Sequence, residues 1–157
     1  MKNFINFYVS LGFIGYIKFI PGTFGSLLSI SFLYPFFYFK IFSFIIYLFI
    51  FLMIIIISVY FINQFNKDTK EHDSSIIVID EFIGIYSIFL FYDIVFVNNH
   101  ILTFILIFVI FRFFDIVKIL PTNLIDKKLL NSFGIILDDI VAGIYTVITI
   151  YIINVFF

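Results

Sequence analysis

Charged residues interrupt this chain rarely, and the intervals between them suit a bilayer. None occurs between Lys18 and Lys40, and none between Lys40 and Lys67. Crossing the hydrocarbon layer takes about 20 apolar residues in helical form, so 41–62 reads as the clearest span. A further apolar stretch over 76–97 carries Asp80, Glu81 and Asp93. Another over 101–119 takes in Arg112, Asp115 and Lys118 at its end, and a last one over 135–157 carries Asp138 and Asp139 in its first turns. All are expected to be helices, because lipid offers the backbone no hydrogen-bond partners and each segment must satisfy its own. The stretch 24–39 is short and Pro35 predicts a kink; a crossing and a re-entrant form both fit it. Residues 3–19 are apolar and a little short, and read as an interfacial or partly buried helix. The expected architecture is all-α: a polytopic membrane helical bundle with about four to five membrane helices, an N-terminal apolar helix, and a single domain over 1–157.

Threading these segments alternately through a bilayer puts Lys18, Lys67, Lys70, Arg112, Lys118, Lys127 and Lys128 on one side. Lys40 falls on the other, with Asp93, Asn98, Asn99 and His100. Short cytoplasmic loops are enriched in Lys and Arg, so the basic side is expected to face the cytoplasm. The same threading brings four polar segments, 21–26, 67–81, 112–118 and 134–139, to that side. An active site at the cytoplasmic face of the membrane is the arrangement this predicts.

Composition sharpens the class. Hydrophobic residues make up 64% of the chain and charged residues 12%, against about half and about a quarter in soluble domains. The surplus must face lipid. There is no cysteine, which excludes disulfides, thiolate metal sites and a cysteine nucleophile. The formal net charge of −1 says nothing about partners, and no nucleic-acid partner is expected. No cleavable signal peptide is legible after Lys2, and with no Trp interfacial anchoring falls to Tyr and Phe.

The candidate chemistry lies in acids set within apolar helices. An Asp at the centre of a membrane helix costs about 2.5–3.5 kcal/mol on insertion scales, and Asp80, Glu81, Asp138 and Asp139 would repel one another if gathered. A divalent cation resolves both problems, and hard carboxylate oxygens suit Mg²⁺. Pairing with Arg112 or Lys118, or helix capping, is the alternative for each acid. Arg112, Asp115 and Lys118 recur every third residue and share one broad helix face. The planar fork of Arg112 suits phosphate; its alternative is an interfacial, snorkelling arginine. In PGTFGS (21–26) the backbone at Gly22 and the hydroxyls of Thr23 and Ser26 stand where a helix N-terminus could meet an anion, although Pro-Gly also marks ordinary turns. His72, in the polar run 67–75, could move a proton or be ordinary surface. VIDEFIGIY (78–86) and LDDIVAGIY (137–145) align without a gap, so that each helix carries Asp and Gly on one face and the glycines allow close approach of a neighbour.

Taken together, PGTFGS (21–26), HDSSIIVIDEFIG (72–84), FRFFDIVK (111–118) and GIILDDIVAG (134–143) resemble the phosphatidylglycerophosphatase A family, over nearly the whole chain. The resemblance implies a Mg²⁺-dependent lipid phosphatase at the cytoplasmic face of the bacterial plasma membrane. Its substrate would be the phospholipid phosphatidylglycerophosphate, hydrolysed to phosphatidylglycerol. It suggests Asp80, Glu81, Asp138 and Asp139 as metal ligands, with Glu81 also a candidate base. Asp115 and His72 would be further catalytic residues, and Arg112, Lys118, Gly22, Thr23 and Ser26 would contact phosphate. The chain departs from the family pattern in KILPTNLID (118–126), where Asn123 stands in place of an arginine, and at Asn131-Ser132, which replace a glycine pair. A non-enzymatic transporter or assembly factor is the rival from another class, since intramembrane acids can form an ion path. A phosphatase for another lipid phosphate, such as phosphatidate, shares the chemistry.

Overall fold

A computed structural model of the chain describes residues 2–69, 74–97, 99–119 and 131–156, and every regular element among them is helical. In order these are α1 (Lys2–Val9), a short 3₁₀ turn (Ile14–Tyr16), α2 (Pro21–Tyr38), α3 (Phe44–Thr69), α4 (Ile79–Phe89), α5 (Tyr92–Val95), α6 (His100–Val117) and α7 (Ser132–Phe156). Three of them, α3, α6 and α7, are long and apolar enough to cross a membrane.

The N-terminal helix is shorter than its apolar run suggests. It stops at Val9 because Ser10 turns its hydroxyl back to the Asn6 carbonyl and accepts the Phe13 amide. Leu11, Gly12 and Phe13 then follow with positive φ, which a helix cannot continue through. The stretch 76–97 also divides. After Leu90 the backbone tightens, with the Phe91 amide reaching back only to the Ile88 carbonyl, and α5 starts afresh at Tyr92. Pro35 lies inside the last turns of α2, which continues to Tyr38.

The 11-residue α4 is the centre of the bundle. It packs on α2, α3 and α7, while α6 closes on α7 and α2, and α1 lies along α3. Every residue from Ile83 to Phe89 is buried, the pattern of a helix apolar all round and enclosed on all sides. By contrast, α3 turns Ile45, Phe49 and Ile56 outward, as a lipid-facing helix does.

The crossing of α4 and α7 depends on two glycines. A methyl at Gly84 would lie 2.9 Å from the Asp139 carbonyl, and one at Gly143 would lie 2.7 Å from the Gly84 carbonyl. The Ser87 hydroxyl and, at 2.9 Å, the Phe111 ring also stand in the way, but the carbonyls are backbone and cannot be relieved by a side-chain rotation. Gly143→Ala is expected to force α4 and α7 apart and to cost about 1–3 kcal/mol, the usual cost of overpacking. Thermal unfolding in detergent measures this, and an unchanged midpoint would show that the crossing has slack.

Candidate active site

At one end of the bundle the N-terminus of α2, the segment 74–81, the last turns of α6 and the first turns of α7 enclose a cavity of about 250 Å³. Gly22, Asp80, Glu81, Arg112, Asp115, Lys118, Asp138 and Asp139 all line it. Four segments far apart in the chain thus converge, as the alternating thread predicts.

The glycine crossing explains why the acids meet. Asp80 lies one helical turn before Gly84 and Asp139 one turn before Gly143, so the contact that joins the glycines brings the two carboxylates together. Asp80, Glu81 and Asp139 each offer an oxygen, all within 4.8 Å of one another. Within this group Glu81 Oε2 and Asp139 Oδ2 are buried and without a hydrogen-bond partner. Buried carboxylate oxygens are normally satisfied, and three crowded acids repel. Both features fit a hard divalent cation, and the all-oxygen donor set fits Mg²⁺.

The neighbouring Asp138 behaves differently from Asp139. Its carboxylate oxygen Oδ2 receives Lys118 Nζ at 2.8 Å. Lys118 ends α6 with a left-handed backbone, which swings its side chain towards α7. Arg112 pairs with Asp115 one turn along its own helix and lies 3.8 Å from Glu81. Its Nε is buried without a partner. The three residues of the Arg-Asp-Lys face therefore do separate work: Asp115 orients Arg112, while Lys118 reaches another helix.

Of the PGTFGS residues only Pro21 and Gly22 reach the cavity, beside Ile20. A methyl on Gly22 would collide with Glu81 Oε1 and stand 3.1 Å from Arg112 Nη1, so this glycine lets backbone approach an ion pair. Ser26 is fully buried and gives its hydroxyl to the Gly22 carbonyl within α2, and Thr23 is not among the lining residues. His72 lies outside the described residues, as do Lys70, Lys127, Lys128 and Asn123. Ser74 and Ser75 line the cavity although sequence reasoning assigned them nothing; their place just before the Asp80-Glu81 pair was the available signal. Asn131-Ser132, at the departing glycine pair, are used structurally. Asn131 Oδ1 accepts the Gly134 amide as an N-cap, and Ser132 bonds Asn63 on α3.

The opposite end holds a Lys40–Asp93 pair at 3.0 Å, exposed on both sides, and His100 bonded to the Tyr34 hydroxyl. Between the two ends the buried hydroxyls of Ser29, Ser87 and Thr146 are each given to carbonyls of their own helices.

A family model described as Phosphatidylglycerophosphatase A matches residues 7–154. A curated relative from Haemophilus influenzae, "Phosphatidylglycerophosphatase A", is 33% identical over 92 residues, which is 59% of this chain and 54% of the relative. The aligned part thus spans about half the length of that relative. No solved structure matches.

Proposed function

The chain belongs to the phosphatidylglycerophosphatase A family, and from that premise we propose that it removes the terminal phosphate of phosphatidylglycerophosphate, releasing phosphatidylglycerol and inorganic phosphate. The observation that carries the reading is the convergence of Asp80, Glu81 and Asp139 with Arg112 and Lys118 around one cavity. Acids to hold a cation, beside bases to hold an anion, suit a phosphate monoester.

Asp80, Glu81 and Asp139 would hold Mg²⁺. Bound there, the ion would offset the carboxylate charge and polarise the phosphoryl group. Phosphoryl transfer is catalysed chiefly by positioning and by charge stabilisation. Arg112, oriented by Asp115, would meet the equatorial oxygens with its planar fork. Lys118, held by Asp138 at 2.8 Å, would add a second positive charge. Glu81, 3.8 Å from Arg112, would serve either as one of the metal ligands or, in the alternative, as the base that takes a proton from the attacking water. The lipid tails stay in the bilayer, so the cavity need grip only the headgroup. Arg112 and Lys118 line the cavity, Lys18 lies two residues before its wall at Ile20, and Lys67 is in the last turn of α3, a basic bias that supports a cytoplasmic orientation in a bacterial plasma membrane. On this reading α2 and α4–α5 complete a set of five crossings with α3, α6 and α7.

An ion path would need ionisable groups through the depth of the bundle. The buried acids cluster at one end, the opposite end holds the exposed Lys40–Asp93 pair, and the hydroxyls between are closed on their own helices, which favours an interfacial enzyme.

The test is phosphate release by the purified protein in detergent, from phosphatidylglycerophosphate and from phosphatidate, with and without Mg²⁺. Mg²⁺-dependent release from the first alone is expected. Release from both would keep the chemistry and widen the substrate class; release from neither, by folded protein, would overturn the reading. Gly22→Ala tests the geometry independently. Its methyl displaces the flexible end of Glu81 and not backbone, so the fold is expected to persist. Turnover should fall about tenfold or more, by misplacement of a catalytic group. Unchanged turnover would remove Glu81 and Arg112 from the site.

A further inference from the structure

Residues Tyr16 to Ile20 are all exposed, and all but Lys18 are large apolar or aromatic residues. Phe19 is 78% exposed and Ile20 63%. Phe13, also exposed, continues the patch, its ring packed between those of Phe7 and Tyr16 with centroids 5.4 and 6.0 Å away. The segment from Ile17 to Ile20 is not helical. The amides of Lys18, Phe19 and Ile20 have no hydrogen-bond partner among the described residues. Ile20 itself has φ 54°, an outlier conformation for a β-branched residue.

Two physical constraints fix where such a segment can sit. Unpaired amides exclude it from the hydrocarbon layer, where irregular lipid-exposed backbone is not tolerated. A run of exposed aromatic and aliphatic side chains is equally out of place in bulk water. The headgroup layer satisfies both, because it wets the backbone and accepts amphipathic rings. Lys18, at the centre of the run, suits anionic lipid phosphates. The segment is also continuous with the cavity, since Ile20, Pro21 and Gly22 form part of its wall.

We propose that Phe13–Ile20 is a lipid-binding rim, seated among the headgroups of an anionic bilayer, which fixes the cavity mouth at the depth of lipid phosphates. A lipid-borne group then reaches the acids by lateral movement in the leaflet, without leaving the membrane. The left-handed Ile20 makes the corner between this rim and the start of α2, turning Phe19 outward while Gly22 points into the site.

The chain has no Trp, so an introduced one is a lone depth reporter. Phe19→Trp, at a highly exposed position, is placed in the full-length protein and reconstituted in phosphatidylcholine–phosphatidylglycerol vesicles. Some of the lipids carry bromine either near the glycerol end or near the methyl end of the chains. Ile56→Trp, outward on the middle of α3, is the reference for a residue in the hydrocarbon layer. Indole emission from the Phe19→Trp protein is expected to be quenched more by the shallow bromines than by the deep ones, with the order reversed for Ile56→Trp. Adding Lys18→Gln to the Phe19→Trp protein should weaken the shallow quenching by brominated phosphatidylglycerol more than by brominated phosphatidylcholine. Water-like emission from the Phe19→Trp protein that no brominated lipid quenches would overturn the proposal. So would strongest quenching by the deep bromines. Neither readout depends on phosphatase activity, so the rim and the proposed reaction can fail separately.

Discussion

Asp139→Asn is expected to reduce phosphate release by roughly 10³-fold, the upper end of what loss of one preorganised electrostatic group costs, and to do so with the fold intact. The amide is isosteric with the carboxylate, so the packing of α7 on α4 is unchanged. The charge balance does change. Asp139 is buried, and one of its oxygens has no hydrogen-bond partner, while Asp80 and Glu81 stand within 4.8 Å. Without Mg²⁺, neutralising one of three crowded acids relieves repulsion, and the thermal midpoint should rise. Mg²⁺ should stabilise the wild-type protein by about 2.7 kcal/mol at a hundred times its Kd. Most of that stabilisation should be absent from the variant. Melting curves with and without Mg²⁺, run beside the phosphate assay, separate the two effects. Wild-type turnover by Asp139→Asn at saturating Mg²⁺ would show that the triad is not the metal centre.

Arg112→Lys should cost about 10²–10³-fold in turnover although it keeps the charge. The reason is geometric. The guanidinium is held by Asp115 on its own helix and lies 3.8 Å from Glu81, so its remaining edge is presented in a fixed plane. An ammonium on a flexible stem can satisfy one of these partners and cannot keep the fork. Steady-state kinetics give the check. Loss concentrated in kcat would mark an interaction made in the transition state, and a rise in KM alone would mark ground-state binding only. Retention of full kcat/KM would mean that Arg112 serves the fold and not phosphate.

The acids, the arginine and their common end of the bundle were legible in the one-dimensional pattern. The spacing repeated at Asp80–Gly84 and Asp139–Gly143, close to one helical turn, marked two helix faces open to close approach, and the fold sets those two faces against each other. Other features had no such signal. The end of α1 at Val9 depends on the Ser10 hydroxyl competing for backbone partners, inside a run whose hydropathy favours continuing. Ser26 looked like a phosphate ligand, but one turn after Gly22 on α2 its hydroxyl is closed on a carbonyl of that helix. Gly22 lines the cavity and also gives clearance to Glu81 and Arg112, a close approach that no local pattern marked.

Asp138 and Asp139 mark the boundary between the two kinds of information. Burial in lipid depends on the local density of apolar side chains, so the sequence alone determined that the chain is helical, that the apolar runs of α3, α6 and α7 can cross a membrane, and at which ends the ionisable groups gather. It could not divide two adjacent carboxylates. Successive residues on a helix point about 100° apart, so what each one meets depends on the neighbouring helices. Only the packing of α4 and α6 against α7 decided that Asp139 joins Asp80 and Glu81 while Asp138 pairs with Lys118.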